Sequence, residues 1–333
     1  MGLVDVVGPF GLAAGALWLV GIRDDIRPLS ARCKLLCQTG VALLIVWSGF
    51  CPENVALLGH HVHLGWFGAV CMMGWLVLGI NALNLIDGMD GLASVTGIVI
   101  STAIAITAGI QGNLPTLVLA MALAGGLAGF LVHNLPPATI FLGDSGSTFI
   151  GLVLSFLAFQ FATDASATVH VTALVLLLFV PLLDTQLAIA RRLLMGRSIF
   201  RGDRSHLHHQ LLGRGFGIWK TLGLLGILSA VSVAAACLAA ITGRELAAWA
   251  TVLGSTGLLV AGRYIGGQEL TLLRQALGGA AQEQSDLGLP SDPLSHLPEI
   301  IPLDWRLARK PTLARSANAD YESEEPSEQR RAA

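Results

Sequence analysis

The feature that most restricts how this chain can fold is a succession of nine apolar stretches. They lie near residues 3–22, 35–50, 66–83, 94–110, 116–133, 147–163, 169–190, 221–241 and 246–262. A hydrocarbon core of about 30 Å is crossed by about 20 residues of helix rising 1.5 Å each. Inside it the backbone must satisfy its own hydrogen bonds. The stretches therefore predict an all-α, polytopic transmembrane bundle of nine helices. Composition agrees: 53% of residues are hydrophobic and only 13% charged, where a soluble domain carries about a quarter charged. The first stretch lacks a basic n-region and a small-residue cleavage site, so it reads as a membrane helix and not as a signal peptide. With a net charge of -2, nothing points to nucleic acid.

Orientation follows from Lys and Arg in the short loops, which stay on the cytoplasmic side. Segments 51–65, 111–115 and 163–168 have neither residue, and the last even-numbered turn has only Arg244. The loop after the first stretch has Arg23, Arg27, Arg32 and Lys34, and the loop after the seventh has Arg191, Arg192, Arg197, Arg201, Arg204, Arg214 and Lys220. The N-terminus is thus expected outside and the C-terminus inside, in a multi-pass protein of the inner (plasma) membrane. A transmembrane domain is expected over 1–265. The polar segment 266–333, rich in Pro, Ser and Glu, is expected to be largely disordered, with a short interfacial piece near 300–307. Cys33, Cys37, Cys51, Cys71 and Cys237 show no zinc-type spacing and are expected as free thiols.

Four polar constellations stand out, and all fall in loops expected to face inward. The first, Arg23-Asp24-Asp25-Ile26-Arg27, is followed by Lys34; taken alone it reads equally as an acidic pair balanced by arginines at a helix end and as functional acids at the membrane boundary. The second, Asn81-Ala82-Leu83-Asn84-Leu85-Ile86-Asp87-Gly88-Met89-Asp90-Gly91, alternates amides and acids with apolar residues. Polar irregular backbone at that depth is tolerated only where it is buried or lines a wet cavity. The third runs from His133-Asn134 to Gly143-Asp144-Ser145-Gly146-Ser147, where Asp144 could equally cap the helix that follows. The fourth, Asp203-Arg204-Ser205-His206-Leu207-His208-His209, lies among arginines and suits a phosphate better than zinc. His60, His61 and His63 fall in the opposite set of loops and read as incidental. Asp184, between Pro181 and Arg191-Arg192, reads as half of a structural ion pair.

Acids with amides suit Mg²⁺, which prefers oxygen ligands and substrate phosphates, while Lys, Arg and His balance phosphate charge. The chemistry indicated is phosphoryl transfer at the cytoplasmic membrane surface. A transporter is the rival from another class, but it would place polar residues at mid-membrane in both halves, and here they gather at one face. An inactive membrane scaffold is a second rival.

The four motifs, in this order, resemble those of the polyprenyl-phosphate N-acetylhexosamine-1-phosphate transferases, over roughly Gly21 to Phe216: Asp-Asp with a following Lys, Asn-x-x-Asn-x-x-Asp-Gly-x-Asp-Gly, Gly-Asp-x-Gly-Ser and His-x-His-His. The resemblance implies transfer of a sugar-1-phosphate, here N-acetylglucosamine-1-phosphate or a close relative, from a UDP-N-acetylhexosamine to undecaprenyl phosphate. UMP is released, with Mg²⁺ (or Mn²⁺) as cofactor, and the reaction initiates lipid-linked glycan synthesis for the cell envelope. It implies Asp144 and Asn84 as metal ligands and Lys34 on the diphosphate. Asp24 and Asp25 fall on the lipid-phosphate side with Asp24 as candidate base, Asp90 on the uridine, and Asp87, Asn81 and Asn134 around the pocket. Arg204, His206, His208 and His209 close over the sugar-phosphate. A homodimer is the assembly considered. Family members carry further helices and a Pro- and Gly-rich loop ahead of the Asp-Asp motif that this sequence does not show, so the resemblance implies either a truncated start or a shortened paralogue.

Overall fold

A computed structural model describes residues 3–196, 205–262, 264–267 and 270–272, with side chains from residue 8 onward. The chain divides into units 1–278 and 279–333. The second unit, and with it the interfacial piece near 300–307 and all of the predicted disordered tail beyond residue 272, lies outside the described residues.

Each apolar stretch coincides with helix. The elements in order are α1 (Leu3–Ile26), α2 (Ala31–Trp47), β1 (Asn54–Leu57), β2 (His60–His63), α3 (Phe67–Ile86), α4 (Leu92–Gln111) and α5 (Leu114–Asn134). After these come α6 (Gly143–Ala162), β3 (Thr168–His170), α7 (Val171–Leu177), α8 (Phe179–Leu194), α9 (Leu207–Gly213), α10 (Ile218–Thr242) and α11 (Glu245–Ala261). Among the described residues, α3, α4, α5, α6 and α10 are long and apolar enough to cross a membrane, and α7 with α8 makes a sixth candidate if the two are one span. The protein is therefore a multi-pass membrane protein.

Local chemistry sets the helix ends. Ser30 accepts from the Cys33 backbone N–H at the start of α2, and Asn113 accepts from that of Thr116 at the start of α5, where Pro115 needs no partner for a missing N–H. Helix α6 is the central post: 78% of its apolar window is buried, against 17% for α5 at the periphery. It packs against α1, α3 and α4. Contact with α1 is close enough that a Cβ on Gly21 would lie 2.3 Å from the Ser145 Cα. Only glycine at that position lets α1 deliver its acidic end to the start of α6.

Two features differ from the sequence expectation. The seventh stretch is not one helix: α7 and α8 meet at an angle of 83°. Pro181 supplies the reason, because it has no N–H to donate to the Leu177 carbonyl and its ring crowds that same oxygen, where α7 ends. The segments around 51–65 and 163–170, expected as plain loops, carry a three-stranded sheet of order β2-β1-β3. In it β1 and β2 form an antiparallel hairpin pairing Asn54 with His63 and Leu57 with His60, and β1 runs parallel to β3. The sheet ties together two loops of the even-numbered set, while the four motifs gather in loops of the other set. All five cysteines are free, as expected.

Candidate active site

The site is built where the ends of α1, α3 and α5 meet the starts of α2, α6 and α9. Lys34, in the first turn of α2, bonds both Asp24 at the end of α1, with Nζ 2.6 Å from Oδ2, and Asp144 in the first turn of α6. Asp24 is buried and its second oxygen accepts from the Leu29 backbone N–H at 2.6 Å, which folds the Ile26–Ser30 turn around it. Asn84, in the last turn of α3, donates to Asp144 Oδ1 at 3.2 Å and to Ser147 Oγ at 2.9 Å. Asp144 is thus held between an ammonium from α2 and an amide from α3, with its side chain and that of Lys34 each about 30% exposed. The pair is open to a ligand; Asp24 behind it is not.

Asp25 faces the other way. Its two oxygens accept from the backbone N–H groups of Asp144 (2.8 Å) and Ser145 (3.1 Å), capping α6. Gly143 makes room for it: its φ is +66°, and a Cβ there would lie 2.8 Å from Asp25 Oδ1. The sequence leaves open whether Asp144 is itself a cap; in the structure Asp25 caps and the Asp144 carboxylate is left for the site.

The second motif turns at Asp87-Gly88-Met89-Asp90-Gly91. Half-buried Asp87 has its carboxyl pushed up to about 8, first by burial and then by the like charges of Asp144 and Asp90. Asp90 accepts from the Ala138 backbone N–H at 3.0 Å. Asn134, buried at the end of α5, accepts from the Gly91 N–H and the Ser94 hydroxyl and donates to the Ile140 carbonyl. Asp90 and Asn134 therefore lock the second motif to the third. Asn81, one turn before Asn84, does not reach Asp144 but pairs with Gln38 of α2.

The histidine motif closes on the same turn. Asp184 of α8, 1% exposed, accepts from His206 Nδ1 at 2.9 Å and from the Leu207 backbone N–H at 2.7 Å, anchoring the start of α9. His208 is 1% exposed and its ring lies tilted against that of His209, with ring centroids 4.2 Å apart. Its ring lies on the backbone of Gly88, where a Cβ would come within 2.6 Å of Nε2. Burial, reinforced by neighbouring His209, pushes its pKa down to about 3, so it is neutral at physiological pH. Neither ring nitrogen has a hydrogen-bond partner among the described residues. Arg204 and the preceding residues of the fourth motif lie outside the described residues.

Sequence reasoning missed Gln38, Ser94 and Ser147, and it paired Asp184 with neighbouring arginines without foreseeing His206. Gln38 and Ser94 are polar residues within largely apolar helices and Ser147 is the last residue of the third motif, signals that name no partner.

The chemistry of the donor set fits a hard divalent cation. Asp144, Asp87 and the carbonyl oxygen of Asn84 are oxygen donors; Asp24 and Asp144 share the one Lys34, while Asp87, raised first by burial and then by the charges of Asp144 and Asp90, has no cation beside it among the described residues to offset them. Among the described residues no three His, Cys, Asp or Glu side chains already converge as a metal cage. This suits Mg²⁺, which binds through one or two carboxylates and completes its shell with water and substrate phosphates.

Fold and site together define a multi-pass helical membrane protein with an acid, lysine and amide centre at one end of its bundle. Comparison with known proteins gives the family: residues 9–162 match the model of glycosyl transferase family 4. The chain is 36% identical over 211 residues, 63% of its own length, to a probable undecaprenyl-phosphate N-acetylglucosaminyl 1-phosphate transferase of Bacillus subtilis. It is also 36% identical over 236 residues to a decaprenyl-phosphate N-acetylglucosaminephosphotransferase of Mycobacterium leprae. With a phospho-N-acetylmuramoyl-pentapeptide-transferase of Streptococcus pneumoniae it shares 33% identity over 235 residues, which cover 65% of this chain and 71% of that protein. The chain belongs to glycosyl transferase family 4. It spans 58% of the length of the Bacillus and Mycobacterium relatives.

Proposed function

We propose that this protein transfers N-acetylhexosamine-1-phosphate, with N-acetylglucosamine as the sugar, from a UDP-sugar to undecaprenyl phosphate at the cytoplasmic face of the inner membrane. The observation that carries the reading is the partly exposed Asp144 carboxylate held between Lys34 and Asn84, at the end of a membrane bundle where a water-soluble nucleotide and a lipid phosphate can meet. The names of the Bacillus and Mycobacterium relatives, a probable undecaprenyl-phosphate and a decaprenyl-phosphate transferase of N-acetylglucosamine phosphate, favour N-acetylglucosamine phosphate as the transferred group and a polyprenyl phosphate as the acceptor.

In the overall reaction a phosphate oxygen of the lipid forms a new bond to the β-phosphorus of the UDP-sugar. The bond from that phosphorus to the bridging oxygen breaks, and UMP leaves with the bond's electron pair. The products are the lipid diphospho-sugar and UMP. Lys34 offsets negative charge on the diphosphate while remaining fixed by Asp24, whose burial and bond to Leu29 hold the lysine in place. Asp144 and Asn84, with Asp87, would hold Mg²⁺, which when bound neutralises phosphate charge and polarises the phosphoryl group. Asp25 fixes Asp144 through the start of α6, and the histidine helix, anchored by Asp184, covers the turn that carries Asp87 and Asp90. Such a site works by positioning and electrostatics, the main contributions available in phosphoryl transfer.

The test is UMP release from UDP-N-acetylglucosamine by the purified chain in detergent, with undecaprenyl phosphate and Mg²⁺. Release that requires the lipid and disappears in Asp144→Ala supports the proposal. Release that is independent of the lipid, or unaffected by Asp144→Ala, overturns it.

A further inference from the structure

We propose that Gln38 and Asn81 form a positioning pair that sets α2 against α3, so that Lys34 and Asn84 arrive together on Asp144. The assignment of a task to Asp144 rests on the transferase reading; the geometry of the pair does not. Lys34 and Gln38 are one helical turn apart on α2, and Asn81 and Asn84 about one turn apart on α3. At the outer turn, the two helices each send one group to Asp144: Lys34 Nζ to one carboxylate oxygen, Asn84 Nδ2 to the other. One turn deeper they bond directly to each other. Asn81 Nδ2 donates to Gln38 Oε1 at 2.7 Å and Gln38 Nε2 donates to Asn81 Oδ1 at 3.5 Å. Asn81 is itself steadied by donating to the Val77 carbonyl at 2.8 Å.

Gln38 is 3% exposed and shares its buried stripe with Val41, Ala42 and Ile45. A primary amide in such a stripe is costly unless both its donor and its acceptor find partners, and the facing amide of Asn81 supplies one of each. An apolar pair could hold two helices together, but it would not fix their register along the axis. Paired amides allow one offset, because a slide of one residue, about 1.5 Å, breaks the 2.7 Å bond. The same slide would carry Lys34 and Asn84 apart across Asp144. Gln38 therefore acts through Lys34 and Asn84, without touching the reacting groups.

The experiment reads Lys34 directly, without turnover. The full chain in detergent is treated briefly with an amine-acylating reagent, and modification of Lys34 is followed by peptide mass spectrometry, with exposed Lys220 as the internal standard. Three variants are compared with the parent: Gln38→Leu; the double variant Gln38→Leu with Asn81→Leu, which removes both amides and leaves no buried polar group unpaired; and the exchange Gln38→Asn with Asn81→Gln, which keeps the combined length. The expected result is a rise in Lys34 modification relative to Lys220 of about 3- to 18-fold in both Leu variants, the range that an interhelical hydrogen bond in a membrane carries, and a return toward the parent rate in the exchange. If the double Leu variant, folded by its monodisperse elution, modifies Lys34 at the parent rate, the pair is only adhesive and the proposal fails. UMP release measured alongside separates the two readings: loss of the transferase reading shows as an inactive parent, whereas loss of this one shows as an unmoved Lys34.

Discussion

Replacing Lys34 by Met keeps the length of the side chain and removes the charge that separates two carboxylates. Asp24 and Asp144 both bond the same ammonium, so without it they face each other at roughly 5 Å. At an effective dielectric of about 20 the repulsion is on the order of 3 kcal/mol. Lys34 and Asp144 are each about 30% exposed, and solvent reduces this to about 2 kcal/mol. The variant is expected to unfold about 4–8 °C below the parent in detergent, and to recover part of that loss at acidic pH, where one of the two acids takes up a proton. Turnover should fall further than stability, by about 10²- to 10³-fold, the usual cost of removing one preorganised charge-stabilising donor. Lys34→Arg should fall between the two, since it retains the charge but not the point-like ammonium that fits between two carboxylates. The assays are thermal unfolding followed by Trp fluorescence, and lipid-dependent UMP release. A Lys34→Met protein that turns over within about threefold of the parent, less than 1 kcal/mol in the barrier, would refute the reasoning that Lys34 holds phosphate charge.

Three further outcomes follow from the geometry. Asp25→Ala removes the acceptor for the Asp144 and Ser145 N–H groups in the first turn of α6 and should cost about 0.5–2 kcal/mol, with Asp25→Ser recovering part of it in the same thermal assay. Gly88→Ala places a methyl group 2.6 Å from Nε2 of a His208 that has no free space to retreat into; it should destabilise by about 1–3 kcal/mol, and the double variant with His208→Ala should be more stable than Gly88→Ala alone. The pKa of His208 is near 3 in the folded protein against an ordinary 6.5. Between those values the unfolded chain binds the proton that the folded chain excludes. The contribution of His208 to stability is therefore complete above pH 6.5 and is lost as pH falls toward 3. His208→Gln should flatten the fall in unfolding temperature across that window, and an unchanged slope would place the acid sensitivity elsewhere.

Much of the fold is legible in the sequence because a bilayer leaves few choices: an apolar run of bilayer length has to be helix. The break between α7 and α8 is less so. Pro181 is visible, but the run from 169 to 190 is long enough for one span, and only the crowding of the Leu177 carbonyl in three dimensions turns the chain by 83°. The sheet is hidden for a different reason. Strands of three and four residues, one of them the wholly exposed His60–His63, carry no alternation of their own, and the third joins the β1–β2 hairpin from more than 100 residues away. At the site, Asp24, Lys34, Asn84 and Asp144 can be picked out by sequence as acids, an amide and a lysine gathered at helix ends, and the structure brings them within hydrogen-bond reach. The division of labour between Asp24 and Asp25 cannot be read that way, because adjacent residues on a helix point about 100° apart and the chain does not say which one meets α6. Gln38 and Asp184 are harder still, since the partner of each lies on another helix or loop, 43 and 22 residues away.

The central claim is that this site moves a sugar together with one phosphate onto a lipid phosphate. The most direct measurement uses UDP-N-acetylglucosamine carrying radiolabel in its β-phosphate, incubated with the purified chain, undecaprenyl phosphate and Mg²⁺, and followed by organic extraction and mass spectrometry of the lipid. The account predicts label in a lipid whose mass has grown by one N-acetylglucosamine-1-phosphate unit, with unlabelled UMP in the aqueous phase and neither product formed by Asp144→Ala. Label that leaves as UDP while sugar alone reaches the lipid, or that appears as free sugar phosphate, would contradict it.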